Sequence, residues 1–291
     1  MPARFDYYAP TSLSEAVELL DRHGDGARVL AGGQSLVPLM KLRVGEPLGV
    51  LVDLNRIEDL GYVKEEDGAL RIGALARHRD LENAEVVRGR YPLLADAAKT
   101  IGDVQVRNLG TPAGSLAHAD PASDWGAAFL AFESEVTATS AKGVRTISLD
   151  DFFMDTFTTA LEPGEVLTEI RVPSVENGSG GSYKKLKRKA GDFATVGVAA
   201  QLRLDGNGTV SQAGLALTAV GATPFRAQQG EERLRGSPGD EAAVAEAASL
   251  AAQAAEPTDD LRGSAEYKRA MVEVFARRAL ETALERAEGG Y

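Results

Sequence analysis

The stretch Ala31-Gly32-Gly33-Gln34-Ser35-Leu36 decides how this chain is read, together with Asn108-Leu109-Gly110-Thr111-Pro112-Ala113-Gly114-Ser115. Each is a glycine-bearing turn between apolar segments, and each brings a small hydroxyl residue, Ser35 in one and Ser115 in the other. Glycine lets backbone N–H groups come close to a ligand and point at it, so two such turns facing each other suit a diphosphate. The expectation is that they hold a dinucleotide cofactor.

Working outward from the first turn, Arg28-Val29-Leu30-Ala31 reads as a short buried strand leading into it. A helix precedes that strand: Ser12 and Glu15 stand at capping-box spacing, Ala16, Leu19 and Leu20 form an apolar stripe, and Gly24-Asp25-Gly26 closes it. After the turn, residues 36–42 suit a short helix and Gly49 to Leu54 another buried strand. This order suggests a small α/β unit.

Around the second turn, Ala69 to Ala74 alternates as a strand and Pro92 to Ala98 suits a helix with proline in its first turn. Glu133 to Ser140 and Val144 to Ser148 form a hairpin about Lys142-Gly143, and Glu165 to Val172 is a strand closed by Pro173. The Gly/Ser-rich run from Ser174 to Ser182 has the composition of a flexible linker or long loop. Beyond it, Thr195 to Leu204 places Val196, Val198, Ala200, Leu202 and Leu204 on one face, and Thr209 to Val220 returns as its antiparallel partner. Helices over Asp240–Ala255 and Ser264–Ala287 complete a small α+β domain.

Composition bounds the function. A chain of 291 residues with 44% apolar and 26% charged residues is long enough for two globular domains. A net charge of −11 argues against nucleic acid or an anionic membrane as the main partner. Without cysteine there are no disulfides, thiolate nucleophiles or Cys-ligated zinc or iron–sulfur sites in the chain. The N-terminus lacks an apolar signal core and no apolar run reaches membrane-spanning length, so a soluble, cytoplasmic protein is expected.

Catalytic motifs are missing. There is no Gly-x-Ser-x-Gly and no visible His-containing triad, and the histidines are only His23, His78 and His118. The segment His118-Ala-Asp120-Pro-Ala-Ser-Asp124 allows three readings: a metal site, polar groups satisfying loop backbone, or Asp124 and its neighbours bonding a ligand's ribose or ring. The third is adopted because the segment follows directly from a glycine turn. Neither turn fits the Walker pattern or Gly-x-Gly-x-x-Gly opening a long helix.

The resemblance is more specific. Ala31-Gly-Gly-Gln-Ser-Leu-Val-Pro-Leu-Met-Lys-Leu-Arg43 resembles the first FAD-binding signature of the medium, flavin-carrying subunit of the molybdenum hydroxylases, the carbon monoxide dehydrogenase and xanthine dehydrogenase family. Val106-Arg-Asn-Leu-Gly-Thr-Pro-Ala-Gly-Ser-Leu-Ala-His-Ala-Asp-Pro-Ala-Ser-Asp124 resembles the second, and Tyr183-Lys-Lys-Leu-Lys-Arg-Lys-Ala-Gly-Asp-Phe-Ala194 a third, all in the family's order.

The resemblance implies an α+β protein: a vanillyl-alcohol-oxidase-type (PCMH-type) FAD domain over 1–175, made of two α/β subdomains at about 1–57 and 58–175, then a C-terminal domain of antiparallel sheet plus helices over 182–288. It implies that Val29, Leu30, Ala31, Gly32, Gly33, Gln34, Ser35 and Leu36 line the FAD diphosphate, with Thr111, Gly114 and Ser115 facing them. Asp124 would hold a polar group of the cofactor, Ile101 and Leu167 would pack near it, and Lys184 or Lys185 would be a further contact. Asp192 would lie near the flavin ring. One departure stands out: the family has a branched residue and then Gly-Gly after the Thr or Ser, whereas Thr111 is followed by Pro112-Ala113-Gly114. Proline removes a backbone donor and Ala113 adds a methyl, which is expected to weaken binding or displace the turn while leaving FAD bound.

If FAD carries the chemistry, no general acid or base is needed in the chain. The resemblance then implies non-covalent FAD here, molybdopterin on a large partner subunit and [2Fe-2S] clusters on a small one, in a dimer of heterotrimers. The alternatives are a flavin-free, degenerate binding or assembly module and a stand-alone flavin oxidase.

Overall fold

A computed structural model describes residues 2–45 and 47–289. Strand β1 (Asp6–Tyr8) is followed by α1 (Leu13–His23), β2 (Ala27–Leu30), α2 (Leu36–Leu42) and β3 (Val50–Asp53). The three strands form a parallel sheet in the order β1-β3-β2. Ser12 caps α1 by accepting from the Glu15 amide at 3.2 Å, and the Glu15 carboxylate accepts from the Thr11 amide, one residue earlier than a strict capping box. Because β2 and β3 are parallel, with Leu30 opposite Asp53, their carboxyl ends lie side by side. That places the first glycine turn beside the residues that follow β3.

The second unit opens with the hairpin β4 (Val63–Glu66) and β5 (Ala69–Gly73), turned by Asp67 and Gly68, both at positive φ. Six short helices follow: α3 (His78–Asn83), α4 (Glu85–Arg90), α5 (Pro92–Thr100), α6 (Val104–Leu109), α7 (Pro112–His118) and α8 (Asp124–Leu130). Then come β6 (Glu135–Ser140), β7 (Gly143–Ser148), the small hairpin β8 (Phe153–Asp155) and β9 (Thr158–Thr159), and β10 (Val166–Pro173). The antiparallel sheet runs β4-β5-β10-β6-β7. One core joins this sheet to its helices and to the first unit, through Val52, Ile72, Val136, Ile170, Leu94 and Phe129 among others.

The third sheet, β11 (Ser179–Leu186), β12 (Val196–Leu204), β13 (Val210–Thr218) and β14 (Phe225–Arg226), is antiparallel and followed by α9 (Gln228–Leu234), α10 (Glu241–Ala254) and α11 (Ala265–Gly289). Val196, Val198, Ala200 and Leu202 face a core shared with α10 and α11, while Tyr183, Ala199 and Ala216 join the core of the preceding units. The sheet is therefore buried on both faces.

One expectation is corrected. The Gly/Ser run is not all linker: β11 begins at Ser179, and Gly180 and Gly181 pair with Leu202 and Gln201. A Cβ on Gly180 would stand 2.1 Å from the Ala283 carbonyl oxygen, so this glycine admits α11 against the sheet. Among the described residues no helix is long and apolar enough to cross a membrane.

Candidate cofactor-binding cleft

The end of β2, the first glycine turn and α2 form one wall of a cleft whose opposite side is built by Asn55, Arg77 and Leu109. The two glycine turns touch at its edge. A Cβ on Gly32 would lie 2.4 Å from the Leu109 carbonyl oxygen and 2.6 Å from the Gly110 Cα, closer than any side chain tolerates. Gly33 has φ of 71°, a conformation that glycine adopts without strain. Among the described residues, the backbone N–H groups of Gly32, Gly33, Gln34 and Ser35 find no acceptor, since the turn's bonds begin with the Val37 amide donating to the Gly33 carbonyl. A run of free amides on a glycine turn at a cleft is a donor set for an anion, and it fits the diphosphate of FAD.

The second turn is shorter than its sequence suggests. It is Gly110-Thr111 at the junction of α6 and α7, and Thr111 caps α7 by accepting from the Gly114 amide at 3.0 Å. Pro112 is the first residue of α7, where the missing N–H would be unbonded in any case. The Ala113 side chain lies in the core at 2% exposure, not over the turn. Pro112 therefore breaks no bond within the protein, and the buried Ala113 methyl does not crowd the turn. Ala113→Gly is expected to lower stability by about 1 kcal/mol, through a lost core methyl and helix propensity, and to leave FAD affinity unchanged; urea unfolding and flavin titration check the two halves separately.

Behind Gly110 stands His78, at 5% exposure. Its amide donates to the Gly110 carbonyl at 3.0 Å, and Trp125 Nε1–H donates to its Nδ1 at 3.0 Å, which leaves the ring proton on Nε2. A Cβ on Gly110 would lie 2.6 Å from that Nε2, so the second turn packs directly on the imidazole. Burial, reinforced by the Arg107 and Arg77 charges, pushes the His78 pKa from 6.5 down to about 3. With the folded value below the unfolded one, the unfolded chain takes up the proton first. Stability from this group is complete above pH 6.5 and is lost as pH falls toward 3. Between pH 7 and 5 the loss is expected to be about 2 kcal/mol, and His78→Gln should abolish that share of the pH dependence in urea unfolding.

Arg77, at the start of α3, is joined through Asn55 to the opposite wall of the cleft. It donates through Nη1 to the Leu109 carbonyl and through Nη2 to Asn55 Oδ1, both at 2.5 Å. Asn55 Nδ2 in turn donates to the Ala31 carbonyl at 2.9 Å. These two residues and Lys41, which also lines the cleft, were not anticipated from sequence.

The other expected site residues lie apart from this wall. Ser115 Oγ shares a hydrogen bond with Ser123 Oγ at 3.0 Å. Asp124 opens α8, and its carboxylate accepts from Tyr183 OH at 2.6 Å and from Lys185 Nζ at 2.8 Å; the ammonium also donates to the Thr100 carbonyl. Asp124 and Lys185 thus engage each other across the second unit and the third sheet. Burial and the adjacent Asp124 charge raise the Tyr183 pKa well above its ordinary value, so the phenol stays a donor. Lys184, next along β11, is half-buried. Ile101 caps the end of α5, Leu167 is a buried core residue of β10, and Val29 packs against that core. Asp192 is held by Arg188 at 3.2 Å and Arg262 at 3.4 Å. The His118 ring packs on Phe157 and Asp120 accepts from the Ala122 amide at 2.8 Å, the loop-satisfying arrangement.

The family described as "FAD binding domain in molybdopterin dehydrogenase" matches residues 3–175, and "CO dehydrogenase flavoprotein C-terminal domain" matches residues 181–283. The chain is 46% identical over 283 residues to the carbon monoxide dehydrogenase medium chain of Hydrogenophaga pseudoflava, covering 97% of this chain and 98% of that one. A solved carbon monoxide dehydrogenase from the same organism superimposes with a TM-score of 0.94 over 98% of this chain and 99% of that chain, at 46% identity. Quinoline 2-oxidoreductase from Pseudomonas putida 86 gives a TM-score of 0.91 at 33% identity, with 99% of each chain covered.

Proposed function

The chain belongs to the FAD-binding medium subunits of the molybdenum hydroxylase family, and on that premise we propose that it is the flavin-carrying electron-transfer subunit of a multisubunit dehydrogenase or hydroxylase. The single observation that carries the reading beyond kinship is the row of unbonded amides from Gly32 to Ser35, on a turn whose Gly32, Gly33 and Gln34 line a cleft together with Arg77 and Leu109. FAD, when bound, supplies the exchange of electrons between one-electron iron–sulfur partners and an external acceptor.

The protein's own residues bind and orient. The amides of residues 32–35 receive the diphosphate, with Thr111 facing them from the second turn; Leu30 and Ala31 shape the wall, which Val29 backs from the core side and Leu36 continues into α2. Thr111, Gly114 and Ser115 set the direction of α7, and the Asp124–Lys185 pair, with Lys184, Ile101 and Leu167, frames the more distant part of the site. No side chain of this chain need act as a general acid or base. On this reading a large molybdopterin subunit would oxidise substrate and a small [2Fe-2S] subunit would deliver the electrons, in a cytoplasmic dimer of heterotrimers. Relatives named for carbon monoxide and for quinoline share the fold of this chain, which agrees with substrate choice residing outside it.

Co-purification tests the reading. The expected result is a complex holding one FAD per copy of this chain, with iron and molybdenum confined to the other subunits. Turnover of a small substrate by the isolated chain would overturn it.

A further inference from the structure

The two glycine turns are carried by separate parts of the fold, the first on the parallel sheet and the second between α6 and α7. Their spacing is therefore a tertiary property. A short series of side-chain bonds spans it. The Ala31 carbonyl, inside the first turn, accepts from Asn55 Nδ2 at 2.9 Å; Asn55 Oδ1 accepts from Arg77 Nη2; and Arg77 Nη1 reaches the Leu109 carbonyl that opens the second turn.

Each member of the series is itself fixed. Asn55 donates its amide N–H to Asp53 Oδ1 at 2.9 Å, and the other oxygen of Asp53 accepts from Tyr7 OH at 2.6 Å. The backbone N–H of Arg77 donates to Asp80 Oδ2 at 2.8 Å. A guanidinium is planar and presents its donors in a rigid fork, so it holds two acceptors at a set separation, which a lysine ammonium does not. No carboxylate forms an ion pair with Arg77 among the described residues. Desolvation of the half-buried group holds its pKa below the ordinary arginine value, which a structural salt bridge would not do.

We propose that Arg77 and Asn55 form a strap that positions the two glycine turns at the spacing a dinucleotide's diphosphate requires, so that the cofactor meets a cleft already set. The strap rests on the FAD reading above and adds to it the residues that fix the site's width. Pre-setting the gap removes the ordering that binding would otherwise demand of two independent turns. Both residues act through the turns and not on the cofactor's reacting atoms. They are positioning residues.

The test uses the full chain stripped of flavin and titrated with FAD and with ADP, which carries the diphosphate without the flavin. Arg77→Lys keeps the charge but cannot span the two acceptors, and the exposed Asn55→Ala breaks the link to the Ala31 carbonyl while leaving Arg77 intact. Each is expected to weaken FAD at least about tenfold, and ADP by the same factor, with the salt dependence of wild type. Combining them should weaken binding no further than the worse single variant, because one series is being cut twice. Wild-type affinity in both single variants overturns the strap. Undiminished binding in Asn55→Ala together with a shallower salt dependence in Arg77→Gln also overturns it, by reducing Arg77 to a counter-charge. If the wild-type chain binds neither FAD nor ADP, it is the FAD reading that fails, and the strap with it.

Discussion

Gly32→Val is expected to abolish FAD retention, weakening affinity by at least about 100-fold, or roughly 2.8 kcal/mol. The reason is steric and lies between the turns. A Cβ at residue 32 would sit 2.4 Å from the Leu109 carbonyl oxygen and 2.6 Å from the Gly110 Cα, and neither is a flexible side chain that can swing away. Besides occupying the diphosphate's place, such a side chain strikes the second turn. The two turns must separate, and Gly110 cannot retreat freely because it packs on His78, which Trp125 holds. The fold itself should lose only about 1–3 kcal/mol, the usual range for overpacking. Flavin content after purification, read beside a far-ultraviolet dichroism spectrum, checks both parts. Normal flavin in a folded Gly32→Val protein would mean that the turns are not the grip.

Lys185→Met is expected to destabilise the chain by about 3–5 kcal/mol, the cost of leaving a buried charge without its partner. The Lys185 and Asp124 side chains are 2% and 8% exposed, and after the substitution Asp124 keeps, among the described residues, only the Tyr183 hydroxyl. Since Asp124 belongs to α8 and Lys185 to β11, the loss falls on the contact between the second unit and the third sheet. Adding Asp124→Asn removes the stranded charge and should recover a large part of the loss. Urea unfolding of the single and double variants measures both. A single variant within about 0.5 kcal/mol of wild type would show the pair to be solvated and of surface strength.

Legibility from sequence followed the strength of local signals. Helix α1 has its cap, its apolar stripe and its terminating glycine all in one short stretch, and the hairpin of β6 and β7 has clear alternation. Strand β4 was missed because it is an edge strand whose Lys64, Glu65 and Glu66 are exposed. Helix α8 gives no period because all of its residues are buried, so no polar face marks it. The Gly/Ser run carried a linker composition whose actual cause, the close approach of α11 to Gly180, is a long-range contact. The same holds at the site. The first turn was visible as a motif, but Arg77 acquires its role only when the fold brings Asn55, 22 positions away, and Leu109, 32 positions away, to its two ends. The pairing of Asp124 with Lys185 lies 61 positions apart and was equally invisible, although each residue was singled out.

We propose that FAD sits, without a covalent bond, between the two glycine turns of this chain. Titrating the flavin-free full chain with FAD tests it most directly. The expected result is saturation at one FAD per chain, quenching of flavin fluorescence on binding, and full release of the flavin on acid precipitation. A colourless protein that takes up no FAD at any concentration, while remaining folded, would contradict it.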